Sequence, residues 1–72
     1  MEKVKAFFMS PEGIGFVKAI LDSYEDIGIL SVRDGKRGIV EITYSSFFEH
    51  DLERILRDMT GYGITVEEVE GA

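Results

Sequence analysis

The first pattern along the chain is an alternation of apolar and polar positions in residues 3–9. A period of two predicts a β-strand with two different faces. We expect one face to carry Val4, Ala6 and Phe8, and the other to carry Lys3, Lys5, Phe7 and Met9. The lysines lead us to place the second set on the open face of a sheet.

A helical period follows directly. Ser10 suits an N-cap and Pro11 suits the first helical position, where its missing N–H has no cost. The sequence therefore predicts a first helix from Ser10 to about Asp26. Its buried stripe would hold Ile14, Val17, Ile20, Leu21 and Tyr24.

Two short runs predict a hairpin. Residues 27–33 and 39–44 are rich in β-branched residues, and Asp34-Gly35 and Gly38 between them supply turn chemistry. The pattern leaves open whether Ile27 and Ile29 or Leu30 and Val32 of the second strand meet the helices.

A second helix should begin at Ser46, because Ser46 and Glu49 have the spacing of a capping box. Gly61 or Gly63 can end it in the left-handed conformation. Residues 64–69 are predicted to form the last strand, followed by a frayed terminus at 70–72. The apolar stripe of this helix is Phe48, Leu52, Ile55, Leu56 and Met59.

The order strand, helix, strand, strand, helix, strand predicts an α+β two-layer sandwich of the ferredoxin-like type, formed by residues 1–72 as a single domain. Its antiparallel sheet would have the order 4-1-3-2, with both helices on one face. On the open face, Lys3 and Lys5 would meet Glu41 and Glu67.

Composition narrows the possible functions. The chain has 72 residues, a net charge of −6 and no cysteine. Its acidity disfavours nucleic acid and anionic membranes as partners, and it holds no run long enough for a signal sequence or a membrane span. We therefore expect a cytoplasmic protein that binds neither nucleic acid nor membrane. The absence of asparagine and glutamine beside 31% charged residues further suggests a thermophilic source.

Residues 37–44 superficially follow the third-strand signature of RNA-recognition motifs. The two outward positions that should carry stacking aromatic residues hold Ile39 and Glu41 instead. This comparison again argues against RNA binding.

The chain offers no combination of residues that commits it to a reaction. His50 lies among Glu49, Asp51 and Glu53, but consecutive helical positions diverge, so a solvated face is expected rather than a metal site. We expect no catalytic residues, no metal and no cofactor, and thus no enzyme.

The stretch 10–15 is the one candidate ligand site. Gly13 and Gly15 weaken the start of a helix, which suggests that another group approaches the backbone there. That group could be an anionic ligand at the helix N-terminus, held near Ser10, Glu12, Gly13 and Gly15, or a packed neighbouring element. Both explanations stay open.

The run from Ser10 to Val17, followed by residues 24–30, resembles the start of an ACT-like regulatory domain. The whole chain also resembles a small bacterial family of unknown function, through Pro11, Glu12, Phe16, Lys18, Leu21, Tyr24 and Glu25. The ACT-like resemblance implies a homo-oligomer that binds an amino acid or similar small molecule, with Gly13 giving access to backbone amides. Glu12, which stands between the proline and the glycine, departs from that pattern.

These observations together predict a non-catalytic domain that forms a homodimer. Its interface would include the apolar residues placed on the open face: Phe7, Met9, Ile39 and Val69. One hypothesis is a small-molecule sensor that binds an amino acid at residues 10–15. The alternative is a structural protein–protein interaction module without a ligand.

Overall fold

The computed structural model of the chain describes residues 1–24 and 27–69. In chain order the elements are β1 (Glu2–Met9), α1 (Pro11–Ser23), β2 (Gly28–Asp34), β3 (Ile39–Ser45), a 3-10 helix (Ser46–Phe48), α2 (Glu49–Gly61) and β4 (Val66–Val69). The four strands form one antiparallel sheet in the order β2-β3-β1-β4. The predicted ferredoxin-like α+β fold is confirmed. Asp26 and the terminus at 70–72, which the sequence-based predictions name, lie outside the described residues.

Both helices pack on one face of the sheet. α1 contributes Val17 and Leu21 to the core, and α2 contributes Leu52, Ile55 and Met59. The strand residues in the same core share one face by register, because Phe7 pairs with Val40, Met9 with Val66 and Leu30 with Ile42. The opposite face of the sheet is not covered by a described element. It is called the open face below.

The predicted faces of β1 are reversed in the structure. Phe7 is 5% exposed and Met9 is fully buried, and both belong to the core beneath the helices. Val4, Ala6 and Phe8 lie on the open face instead. The prediction was wrong because it took Lys3 and Lys5 as markers of the open face. Both lysines lie on the helix side, where they form ion pairs with Glu49 in the first turn of α2.

The start of the second helical segment also differs from the prediction. A 3-10 turn precedes α2, and the hydroxyl of Ser45, not Ser46, accepts a hydrogen bond of 3.2 Å from the Phe47 amide. The side chain of Glu49 accepts a hydrogen bond from Lys3 and does not complete a capping box. At the other end, Gly63 adopts the left-handed conformation (φ 86°), as predicted.

The pairing of β2 with β3 shows which face of β2 meets the helices. Leu30 is buried under the helices, while Ile29 on the opposite face is 70% exposed. A bulge follows, since Val32 pairs with Val40 and Asp34 with Ile39, which leaves Arg33 as the extra residue. In the turn, Asp34 accepts a hydrogen bond from the Arg37 amide, and Gly38 has a φ of 76°.

Candidate functional site

The turn at residues 10–15 is shaped by packing at one of its two glycines. Ser10 is the N-cap residue of α1, with extended backbone and no hydrogen bond from its side chain. Gly13 is buried, and a Cβ atom there would lie 2.5 Å from Cγ2 of Ile64. Gly15 is exposed and has open space around it. The structure therefore supplies a neighbouring group that explains Gly13 and none that explains Gly15.

The main cavities of the described residues lie elsewhere. None of them is lined by the predicted ligand residues Ser10, Glu12, Gly13 or Gly15. The predicted binding role of that turn remains a prediction.

One cavity, named the α2 cavity here, lies between α2 and the sheet and has a volume of about 230 Å³. Its apolar lining comes from Phe7 of β1, Leu52 and Leu56 of α2, and Val66 of β4. Its polar lining consists of Lys5, Tyr44, Glu49, Glu53, Arg57, Thr60 and Glu68. The cavity lies beside the short edge strand β4, which contributes Val66 and Glu68 to the lining.

Tyr44 is the exceptional member of this lining. Its side chain is 2% exposed, and its hydroxyl has no hydrogen-bond partner among the described residues. A buried hydroxyl without a partner costs about 1–3 kcal/mol, and most buried polar groups avoid this cost. The hydroxyl is thus a donor and acceptor that the fold itself leaves unused.

Ion pairs cross the mouth of the α2 cavity. Lys3 Nζ lies 2.8 Å from Glu49 Oε1, and Lys5 Nζ lies 3.6 Å from Glu49 Oε2 and 3.9 Å from Glu68 Oε1. The hydrogen bond from Lys3 lowers the pKa of Glu49, and the same bond raises the pKa of Lys3. Burial alone would lower the pKa of Lys5, but Tyr44, Glu68 and Glu49 together raise it. The side chains of Lys3, Lys5 and Glu49 are therefore charged at neutral pH.

The open face is the second candidate surface. The register places Val4, Thr43 and Ile29 in one row across the sheet, and Phe8 beside Ile39 in another. Between these rows lie Val69, Ala6, Glu41 and Ser31. Of the predicted interface residues, Ile39 and Val69 are on this face, whereas Phe7 and Met9 are not.

The central charge of the open face is neutralised within the chain. Arg33, displaced by the β2 bulge, places Nη1 3.1 Å from Oε1 of Glu41. The predicted contacts of Glu41 and Glu67 with Lys3 and Lys5 do not form, because those lysines lie on the other side of the sheet. The open face is consequently apolar at Val4 and Ile29, which are 53% and 70% exposed, and neutral at its centre.

His50 is fully exposed on α2, with Nδ1 3.7 Å from a Glu53 oxygen. Within residues 1–24 and 27–69, no three His, Asp or Glu side chains are grouped so that they could hold a metal ion. Over the same ranges, no helix is both long enough and apolar enough to cross a membrane.

Sequence reasoning missed the α2 cavity and the importance of Tyr44. The available signal was the alternation of Val40, Ile42 and Tyr44, which puts a tyrosine on the buried face of β3 near a strand end. A buried tyrosine needs a hydrogen-bond partner, and the sequence pattern names none.

Comparison with known proteins gives one match. The model of a family described as Domain of unknown function (DUF4911) matches residues 7–61, from the middle of β1 to the end of α2. No curated protein and no solved structure matches the chain. This match confirms the expected resemblance to a family of unknown function. The relation to ACT-like domains stays a prediction.

Proposed function

We propose that this chain, which belongs to the DUF4911 family, is a non-catalytic interaction module that self-associates through the open face of its sheet. The observation that carries the proposal is the row formed by Val4, Thr43 and Ile29. Two of these three side chains are large, apolar and more than half exposed. Exposed apolar side chains grouped on one face mark interaction sites on small proteins.

Local charge on the open face permits a second copy of the chain as the partner. The chain as a whole carries a net charge of −6, so two copies repel each other at long range. The open face escapes this repulsion at its centre because Arg33 neutralises Glu41. If the two-fold axis of such a dimer passes close to this pair, each Arg33 also lies near the Glu41 of the other copy.

The regulatory alternative is the binding of an amino acid at residues 10–15. It has less support, since Ile64 already occupies the space beside Gly13. A ligand-free interaction module is thus the better interpretation of that turn.

Light scattering over a dilution series tests the proposal. We expect twice the mass of the chain at high concentration and the monomer mass on dilution. Ile29→Glu should give a monomer throughout. In a two-fold interface one substitution removes two buried isoleucines, one from each copy. The lost burial free energy is about 3–6 kcal/mol, which weakens association by about a hundredfold or more.

Phe47→Glu is the matched control. Phe47 is 83% exposed and lies in the 3-10 helix that follows β3, outside the strand rows of the open face. The control should keep the dimer. A monomer at every concentration, or equal loss in both variants, would contradict the proposal.

A further inference from the structure

A groove lies between α1 and α2 and is called the helix groove here. It consists of two adjoining hollows of about 330 and 320 Å³, which share Tyr24, Ile55 and Asp58 in their linings. Its α2 side extends from Phe48 to Tyr62, which is about 20 Å at the rise of a helix. This length suits an extended segment of about six residues better than a compact small molecule.

Three aromatic side chains surround one end of the helix groove. Phe16, Tyr24 and Tyr62 are 48%, 50% and 74% exposed, although the helical pattern of the sequence places Tyr24 on the buried stripe of α1. The rings of Phe16 and Tyr62 are stacked, with centroids 6.4 Å apart and planes 19° apart. Ile55 and Met59 form the buried floor beneath them. Aromatic residues grouped in this way at the surface are typical of interaction sites.

A carboxylate stands beside these rings. Asp58 is the only charged residue in the lining of the aromatic hollow, and it forms no ion pair with any other described residue. Asp58 and Tyr62 are four positions apart, so they are neighbours on one side of α2. An aromatic ring next to a carboxylate is a combination that attracts an organic cation.

The remaining charges of the helix groove favour the same sign of ligand. In the adjoining hollow, Arg54 Nη2 lies 3.3 Å from Asp51 Oδ1. The lining therefore carries two carboxylates and one guanidinium, and that guanidinium is already paired. The net charge of −6 on the whole chain adds attraction for a cationic partner at long range and repels a second copy.

From these features we propose that the helix groove binds an arginine-bearing segment of a protein partner, with the guanidinium stacked on Tyr62 and paired with Asp58. A guanidinium is planar, so it stacks on an aromatic ring, and its N–H groups match a carboxylate in bidentate fashion. A lysine ammonium offers the charge without the planar contact. The site is independent of self-association, because the open face lies on the other side of the sheet.

The test is a titration of the isotope-labelled chain with a capped peptide of six residues, followed by amide chemical shifts. The peptide carries arginine at its third position, leucine on either side and alanine elsewhere. We expect saturable shifts at Tyr24, Asp58 and Tyr62 at millimolar concentration. A peptide with lysine instead of arginine should bind about twofold to fivefold more weakly. A peptide with citrulline, which is planar but uncharged, should bind at least about fivefold more weakly.

Substitutions of the chain examine the carboxylate and the ring separately. Asp58→Asn should weaken binding of the arginine peptide by about threefold to fivefold. Glu67→Gln is the matched control, because it removes the same charge at an exposed position of β4 and should leave the affinity unchanged. Tyr62→Leu should weaken binding by about twofold to fivefold, whereas Tyr62→Phe keeps the ring and should retain it. Asp58 and Tyr62 are exposed, so melting temperatures of the free variants should stay close to that of the unmodified chain.

Several results would overturn the proposal. They are the absence of saturable shifts with the arginine peptide, equal affinity for the arginine and citrulline peptides, shifts confined to the open face, and equal weakening by Asp58→Asn and Glu67→Gln. Methylguanidinium that binds as tightly as the peptide would assign the groove to a free organic cation instead. Shifts at the groove amides on dilution of the chain without peptide would assign it to a second copy.

Discussion

Gly13 and Ile64 are in such close contact that no larger residue fits at position 13 without movement. A Cβ atom at Gly13 would lie 2.5 Å from Cγ2 of Ile64, a branch attached directly to the Cβ of that residue. This contact joins the first turn of α1 to the segment between α2 and β4. Gly13 therefore allows α1 to pack closely against Ile64.

Gly13→Ala should lower the stability of the chain, because overpacking costs about 1–3 kcal/mol and exceeds the gain of about 1 kcal/mol in helix propensity. Gly15→Ala is the matched control, since open space surrounds Gly15. It should raise stability by about 0.5–1 kcal/mol. Urea denaturation of both variants measures the difference. Equal stabilisation by both would show that Ile64 does not restrict position 13.

The reversed faces of β1 give a second prediction. Phe7→Ala should cost about 3–5 kcal/mol, since it leaves a cavity in the core beneath the helices. Val4→Ala on the open face should cost less than about 1 kcal/mol in the monomer. The comparison requires chemical denaturation at a concentration where the chain is monomeric. A larger effect at Val4 would restore the face assignment that the sequence suggested.

The Lys3–Glu49 pair predicts a weak dependence of stability on pH. The pKa of Glu49 is lowered in the fold, so its contribution is present above the usual glutamate range and is lost as the pH falls through the lowered value. The pKa values of Lys3 and Lys5 are raised, so their contributions persist to the usual lysine range and are lost as the pH rises above it.

Melting temperatures of the chain and of Glu49→Gln between pH 3 and pH 7 test this account. The two curves should converge at low pH and separate by a small amount at neutral pH, because exposed pairs contribute little. Glu67→Gln, on the other side of the sheet, should follow the unmodified chain. Parallel curves for Glu49→Gln and the unmodified chain would mean that the pair has no effect.

The amide-free, charge-rich composition predicts heat resistance. We expect a melting temperature above the range of about 45–65 °C that is common for mesophilic domains. Calorimetry at two ionic strengths measures it, with high salt expected to lower the value because surface ion pairs are screened. A melting temperature inside the mesophilic range would remove the basis for a thermophilic source.

The topology could be predicted from the sequence because periodicity determines the order and type of elements. The sequence could not predict which face of β1 meets the helices, because both alternating sets contain large apolar residues. Only tertiary contacts choose between the two sets. Lys3 and Lys5 mislead for the same reason: their long stems lie on the helix side while their ammonium groups reach Glu49. The true cap at Ser45 is missed because Ser45 and Ser46 are adjacent and equally suitable.

The candidate sites were less predictable than the fold. Two open-face residues, Ile39 and Val69, could be chosen from alternation alone. The exposed pair Val4 and Ile29 could not, because its recognition requires the register of three strands. The α2 cavity is lined by residues of α2 and of three strands, so no local sequence pattern specifies it.

The most direct test of self-association through the open face is a map of amide chemical shifts during dilution of the unmodified chain. The account predicts concentration-dependent shifts at Val4, Ile29 and Thr43, with α1 and α2 unchanged. Shifts confined to the helices, or no shifts at all up to millimolar concentration, would contradict it.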